Sequence, residues 1–191
     1  SKDELVLDYS AVCDEDTILN LTNQVYFNLT GKGRILSHLL KLNADFITET
    51  TPDLIPTGRI VPVKNTPYDF TKERPIGTDI NSGLLPKGYD KNFVLGEAGT
   101  LRTAAILTEK ETGRRLVVET DMPGLQVYTS NGLSEVGKSR LRMDKFSGIC
   151  LETQQFPDAI NHENFPSPII KANKEYTYKT IYRFEVQDDN Q

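Results

Sequence analysis

The 191-residue chain sets 22 Lys and Arg against 27 Asp and Glu for a formal charge of −5, and its scattered cations form no basic stripe, which argues against nucleic acid or an anionic membrane surface as partner. Its longest apolar runs fall short of the roughly 18–20 residues that a spanning helix needs, and Lys2, Asp3 and Glu4 stand where a signal-peptide core would begin. The reading is a soluble, cytoplasmic protein with no membrane association, long enough for one well-cored domain.

Taken in chain order, the pattern is almost entirely β. From Glu4 to Val12, Leu5, Leu7, Tyr9 and Ala11 alternate with Glu4, Asp8 and Ser10, as a half-buried antiparallel strand requires. Strands are predicted at Asp16 to Leu21, His38 to Leu42, Gly58 to Val63, Lys91 to Leu95, Arg102 to Thr108, Arg115 to Thr120, Leu125 to Ser130 and Gly148 to Thr153. The last, Tyr176 to Val186, sets Tyr178, Tyr182 and Phe184 against Lys179, Arg183 and Glu185. Turn chemistry separates them at Thr51-Pro52-Asp53, Asn81-Ser82-Gly83, Pro86-Lys87-Gly88 and Pro123-Gly124. The only helical suggestion is a short turn near Phe70 to Arg74. Many short strands at regular spacing predict an all-β sandwich or barrel, and no linker or repeat divides it.

Cys13 and Cys150 are too sparse for a disulfide framework and read as two buried thiols. Neither stands at metal-ligand spacing from His38 or His162, so no metal or other cofactor is expected. Glu152 is the most informative residue. In Gly148-Ile149-Cys150-Leu151-Glu152-Thr153-Gln154-Gln155-Phe156-Pro157-Asp158 one carboxylate sits among apolar neighbours on a predicted strand. Such a group either points to water or, if enclosed, has its pKa raised towards the range of a general base.

The run Leu151-Glu152-Thr153-Gln154, followed by Phe156-Pro157-Asp158 and Asn164-Phe165-Pro166, resembles the C-terminal signature of the aldose 1-epimerases, the galactose mutarotases. Asn20-Leu21-Thr22-Asn23-Gln24-Val25-Tyr26-Phe27-Asn28-Leu29 is similar to that family's Asn-Leu-Thr-Asn-His-Ser-Tyr-Phe-Asn-Leu block. Gly88-Tyr89-Asp90-Lys91-Asn92-Phe93 is similar to its Gly-Tyr-Asp-His-Asn-Phe block, and Pro123 to Asn131 is a fourth match. Four blocks in the family's order span nearly the whole chain.

The resemblance implies a galactose mutarotase-like antiparallel β-sandwich, a supersandwich with a sugar cleft across one sheet. The implied activity interconverts the α and β anomers of a hexose such as galactose or glucose. It makes Glu152 the base and Asp90 an acceptor for sugar hydroxyls, with Gln126 adding an amide and Tyr26, Phe27 and Phe93 stacking surface. Read without it, Asp90 is a turn residue, Gln126 is solvent-facing, and Tyr26 and Phe93 are core. Gln24 stands where the family has the histidine taken as general acid, and an amide cannot give up a proton at neutral pH. Lys91 likewise replaces a common histidine.

The resemblance also makes residues 1–191 the C-terminal portion of a longer domain, lacking N-terminal strands that would bring an arginine and a histidine to the sugar. Two other readings follow from these departures: a non-catalytic carbohydrate-binding or sensing protein, and a half-sandwich completed by an N-terminal partner chain.

Overall fold

The computed structural model describes residues 3–140 and 142–187. Among these residues sixteen strands form in chain order. They are β1 (Glu4–Ala11), β2 (Thr17–Ile18), β3 (Tyr26–Phe27), β4 (Leu39–Leu42), β5 (Phe46–Thr50), β6 (Pro56–Pro62), β7 (Arg74–Pro75) and β8 (Asp90–Val94), followed by β9 (Arg102–Thr108), β10 (Arg114–Thr120), β11 (Gly124–Tyr128), β12 (Glu135–Val136), β13 (Arg142–Met143), β14 (Ile149–Gln154), β15 (Ile169–Ile170) and β16 (Tyr176–Val186). One six-stranded sheet runs β1-β16-β10-β9-β4-β7 and the other runs β3-β14-β11-β8-β5-β6, all pairs being antiparallel. Two small ribbons, β2 with β15 and β12 with β13, complete the pairing.

Period-two alternation places the core between the sheets. From the first sheet come Leu40, Leu42, Leu107, Leu116, Val118 and Tyr182; from the second, Ile47, Phe93, Leu125, Val127, Ile149 and Leu151. The Tyr182 hydroxyl donates across the interface to the Leu151 carbonyl at 3.1 Å, and the Thr153 and Thr180 hydroxyls bond 2.5 Å apart. Buried hydroxyls therefore find partners in the opposite sheet. Because β14 turns Ile149, Leu151 and Thr153 inward, Cys150, Glu152 and Gln154 emerge on the outer face.

Several sequence expectations need correction. The helical turn expected near Phe70 to Arg74 is absent; a five-residue helix, Gly77–Asn81, forms instead, because Arg74 and Pro75 pair with β4 as β7. The segment Asp16 to Leu21 keeps only two strand residues, since Asn20 is diverted to a side-chain contact described below. Strand β5 had not been anticipated. Cys150 is fully buried but Cys13 is only half-buried, and both are free thiols. Among the described residues no strand pairs beyond β1, whose Leu5 and Val6 are 47% and 43% exposed, or beyond β6.

His38 is fully buried beside the first sheet, and its Nε2 accepts the Leu29 N–H at 3.0 Å. That bond requires an unprotonated Nε2, and burial holds the imidazole pKa below its ordinary value against a smaller opposing pull from Glu109. The unfolded chain, with a histidine near pH 6.5, therefore takes up a proton that the folded chain resists. Stability is full above about pH 6.5 and is lost as pH falls from there towards the depressed folded value, with a slope of at most about 1.4 kcal/mol per pH unit from this group. Urea denaturation between pH 7.5 and 5.5 is expected to show the loss, and His38→Gln to flatten it. An unchanged slope in the variant would assign the loss elsewhere.

Candidate active site

Side-chain hydrogen bonds, rather than a β-ladder, bring the Asn-Leu-Thr-Asn segment to β14. Asn20 Oδ1 accepts the Gln155 N–H at 2.9 Å while its Nδ2 donates to the Gln155 carbonyl at 3.3 Å. The Thr22 hydroxyl donates to the Thr153 carbonyl at 3.0 Å, and the Tyr178 hydroxyl donates to the Leu21 carbonyl. These bonds satisfy backbone groups that a paired strand would otherwise cover. Two residues beyond Thr22, Gln24 Nε2 donates to Glu152 Oε1 at 3.2 Å.

Register assembles the rest. Gln126 faces Glu152 on one side and Asn92 on the other, while Tyr128 faces Cys150 and Asp90. Gln126 Nε2 reaches diagonally to donate to Asp90 Oδ1 at 2.6 Å, the second-neighbour reach open to long side chains on one sheet face. Glu152 and Asp90 thus lie two strands apart and two residues out of register, roughly 12 Å between backbones, with Gln126 between them. Gln24, Tyr26, Asp90, Gln126, Tyr128, Glu152 and Gln154 line one open cleft of about 440 Å³.

Glu152 is 8% exposed, and burial raises its carboxyl pKa above the usual glutamate value; the Gln24 hydrogen bond opposes this and the Asp90 charge adds to it. Cys150 pairs with Tyr26 across the β14–β3 ladder, and its thiol is pushed up to about 12 by burial and the nearby Glu152 charge. It stays protonated and offers no thiolate nucleophile. Among the described residues no Lys, Arg or His lines the cleft. Two carboxylates, three amides and two phenols suit a neutral, hydroxyl-rich ligand better than an anion.

Four of the residues singled out from sequence, Glu152, Gln24, Asp90 and Gln126, meet in this cleft, and Tyr26 stands at its edge, 42% exposed. Phe93 does not. It lies three residues from Asp90 on β8, so alternation turns it to the opposite face, where it is fully buried in the core. Phe27 is also in the core, against Tyr182. Tyr128 and Gln154 were missed. Both stand two residues from a named residue on the same strand, so period two was the available signal.

An antiparallel sandwich with a carboxylate-bearing polar cleft on the outer face of one sheet is the class that fold and site define. The chain belongs to the aldose 1-epimerase family, whose profile matches residues 1–183. It is 38% identical over 187 residues to galactose mutarotase of Mus musculus, covering 96% of this chain and 54% of that protein. It is 37% identical over 188 residues to the aldose 1-epimerase of Haemophilus influenzae, covering 94% of this chain and 55% of that protein. An aldose epimerase homologue from C. elegans superposes with a TM-score of 0.88 at 25% identity, over 97% of this chain and 57% of the other. Galactose 1-epimerase from Lactobacillus acidophilus gives 0.82 at 26%, over 98% and 55%. The chain thus spans about half the length of the relatives it matches.

Proposed function

We propose that the cleft binds one hexose, such as galactose or glucose, and interconverts its α and β anomers, with Glu152 as the base. The C1 hydroxyl proton passes to Glu152, the bond from C1 to the ring oxygen breaks as that oxygen gains a proton, and an open-chain aldehyde results. After rotation about C1–C2 the same steps run in reverse. Asp90 and Gln126 hold sugar hydroxyls, and Tyr26 and Tyr128 flank the ring. The observation that carries this reading is the enclosed Glu152 carboxylate with its raised pKa, facing Asp90 across Gln126. The names of the family's characterised members agree with it. The reading also places the protein in the cytoplasm, where two free thiols are ordinary.

Gln24 sets the rate. Its amide donates a hydrogen bond but no proton, so the ring oxygen takes its proton from water, and loss of general-acid help costs on the order of 10²–10⁴ in rate. Polarimetry of freshly dissolved α-galactose and α-glucose is expected to show slow acceleration over buffer by the chain. Gln24→His is expected to raise it by about 10²-fold or more. A histidine variant no faster than the parent would remove Gln24 from the mechanism.

The same residue favours a second reading, a binder without turnover, which polarimetry separates from the first. A third is completion of the site by an N-terminal chain. It is supported by β1, which among the described residues pairs on one side only, and by exposed Leu5, Val6 and Phe184. Light scattering that finds only the single-chain mass, with hexose bound and turned over, would exclude it.

A further inference from the structure

Three side chains outside the cleft hold the stretch of chain that brings Gln24 to Glu152. Between the Leu19 N–H, which donates to the Pro168 carbonyl at 3.0 Å, and Tyr26, which pairs with Cys150, no backbone–backbone hydrogen bond fixes the segment among the described residues. Asn20, Leu21, Thr22 and Gln24 are all exposed, so little apolar burial holds it either. We propose that Asn20, Thr22 and Tyr178 are positioning residues for anomer interconversion, holding residues 20–24 along β14 so that the Gln24 amide meets the Glu152 carboxylate, an inference that rests on the hexose reading above.

Each makes a bond that a β-ladder would otherwise supply. The Asn20 amide both accepts the Gln155 N–H and donates to the Gln155 carbonyl, two bonds to one residue that fix orientation as well as distance. Two residues on, the Thr22 hydroxyl donates to the Thr153 carbonyl, so the contacts advance antiparallel along β14 towards Glu152. Tyr178 acts from the other sheet. It is 4% exposed, its ring stacks on Tyr9 with centroids 4.2 Å apart and planes 7° from parallel, and its hydroxyl donates to the Leu21 carbonyl. Gln24 must immobilise a long side chain for one bond of 3.2 Å. A bond of modest net worth persists at an exposed residue only where the backbone beneath it is already placed.

The contact has a chemical consequence. Burial, the largest influence, and the Asp90 charge both disfavour ionised Glu152, and the Gln24 hydrogen bond opposes them. A segment released from β14 withdraws that bond, so the Glu152 midpoint rises further. Neighbouring groups give no competing signal: the Cys150 thiol is pushed up to about 12 and burial raises the Tyr26 and Tyr182 phenols, so all three stay protonated while Glu152 titrates. Burial raises the Tyr178 phenol too, so Tyr178→Phe changes no charge and acts on Glu152 only through the segment it holds.

Titration of the Glu152 carboxyl by ¹³C resonance, with and without galactose, tests the proposal apart from turnover. Asn20→Ala, Thr22→Val, Tyr178→Phe and the reference variant Gln24→Ala are each expected to raise the midpoint above the parent's. Asn20→Ala is expected to add nothing once Gln24→Ala is present, because both remove the same contact. In the faster Gln24→His variant, Asn20→Ala is expected to lower the rate by about tenfold to 10²-fold, the scale of a misplacement of about 1 Å. Thr22→Val and Tyr178→Phe each remove a single hydroxyl and carry the test if Asn20→Ala does not fold. Midpoints equal to the parent's, with a lowered melting temperature, would reduce the three residues to a structural role and overturn the proposal while the hexose reading stands. Full additivity of Asn20→Ala and Gln24→Ala would also overturn it, since the effect would not pass through Gln24. A parent carboxyl indifferent to galactose would overturn the hexose reading and the role in the reaction with it.

Discussion

Glu152→Gln is expected to reduce the acceleration of anomer equilibration by about 10²–10⁴-fold, to the buffer rate in the parent chain and by the full factor in the faster Gln24→His variant. Galactose affinity is expected to change little, since the amide keeps the shape and hydrogen-bonding reach of the carboxylate and loses only its capacity to accept a proton. The raised pKa of Glu152 adds a pH signature. The base works only when ionised, so the rate falls on the acid side with a midpoint above that of an ordinary glutamate, and the variant lacks this limb. Polarimetry from pH 4 to 8 with both proteins reads both effects. A Glu152→Gln protein as fast as its parent would assign the base to another group.

Phe93→Ala is expected to cost about 3–5 kcal/mol of stability, the usual result of emptying a fully buried aromatic site. In a domain of this size each kcal/mol lowers the melting temperature by about 2–4 °C, so the expected fall is roughly 6–20 °C. A platform residue would behave differently, losing sugar affinity at constant stability. Calorimetry and galactose titration at a temperature where the variant is folded separate the two outcomes. Loss of affinity without loss of stability would restore Phe93 to the binding surface and contradict its placement between the sheets.

Phe93 also shows where the sequence could be read and where it could not. Alternation in Tyr176–Val186 was strong enough to fix that strand to the residue, because Tyr178, Thr180 and Tyr182 face the core while Lys179, Arg183 and Glu185 stand on the other side. The same alternation forbids Asp90 and Phe93 from sharing a face, yet the four-block resemblance grouped them, since a motif marks neighbours in sequence and not the direction of their side chains. Strand β5 escaped notice because Phe46-Ile47-Thr48-Glu49-Thr50 is short and carries a bulge against β6. The clamp of Asn20 on Gln155 joins residues 135 apart; its chemistry was visible as a polar run, its partner was not. Tyr128 and Gln154 needed only period two, counted outward from Gln126 and Glu152.

The stability of the site residue itself carries a cost. A carboxyl whose folded pKa is raised favours the folded state most at low pH, below the unfolded value, and that contribution disappears as pH rises through the folded one. Glu152 therefore opposes folding slightly at neutral pH, in the opposite sense to His38. An enclosed carboxylate without a cationic partner is retained against that cost, as expected where its basicity is used.

The central claim, that Glu152 is an enclosed base facing a bound hexose, is tested most directly by its own titration. Carboxyl ¹³C resonances of the selectively labelled protein, assigned by comparison with Glu152→Gln, give the midpoint with and without galactose. The expected result is a midpoint above that of an ordinary glutamate and a carboxyl shift that moves on addition of galactose. A midpoint at the ordinary glutamate value, with no response to galactose, would contradict the claim.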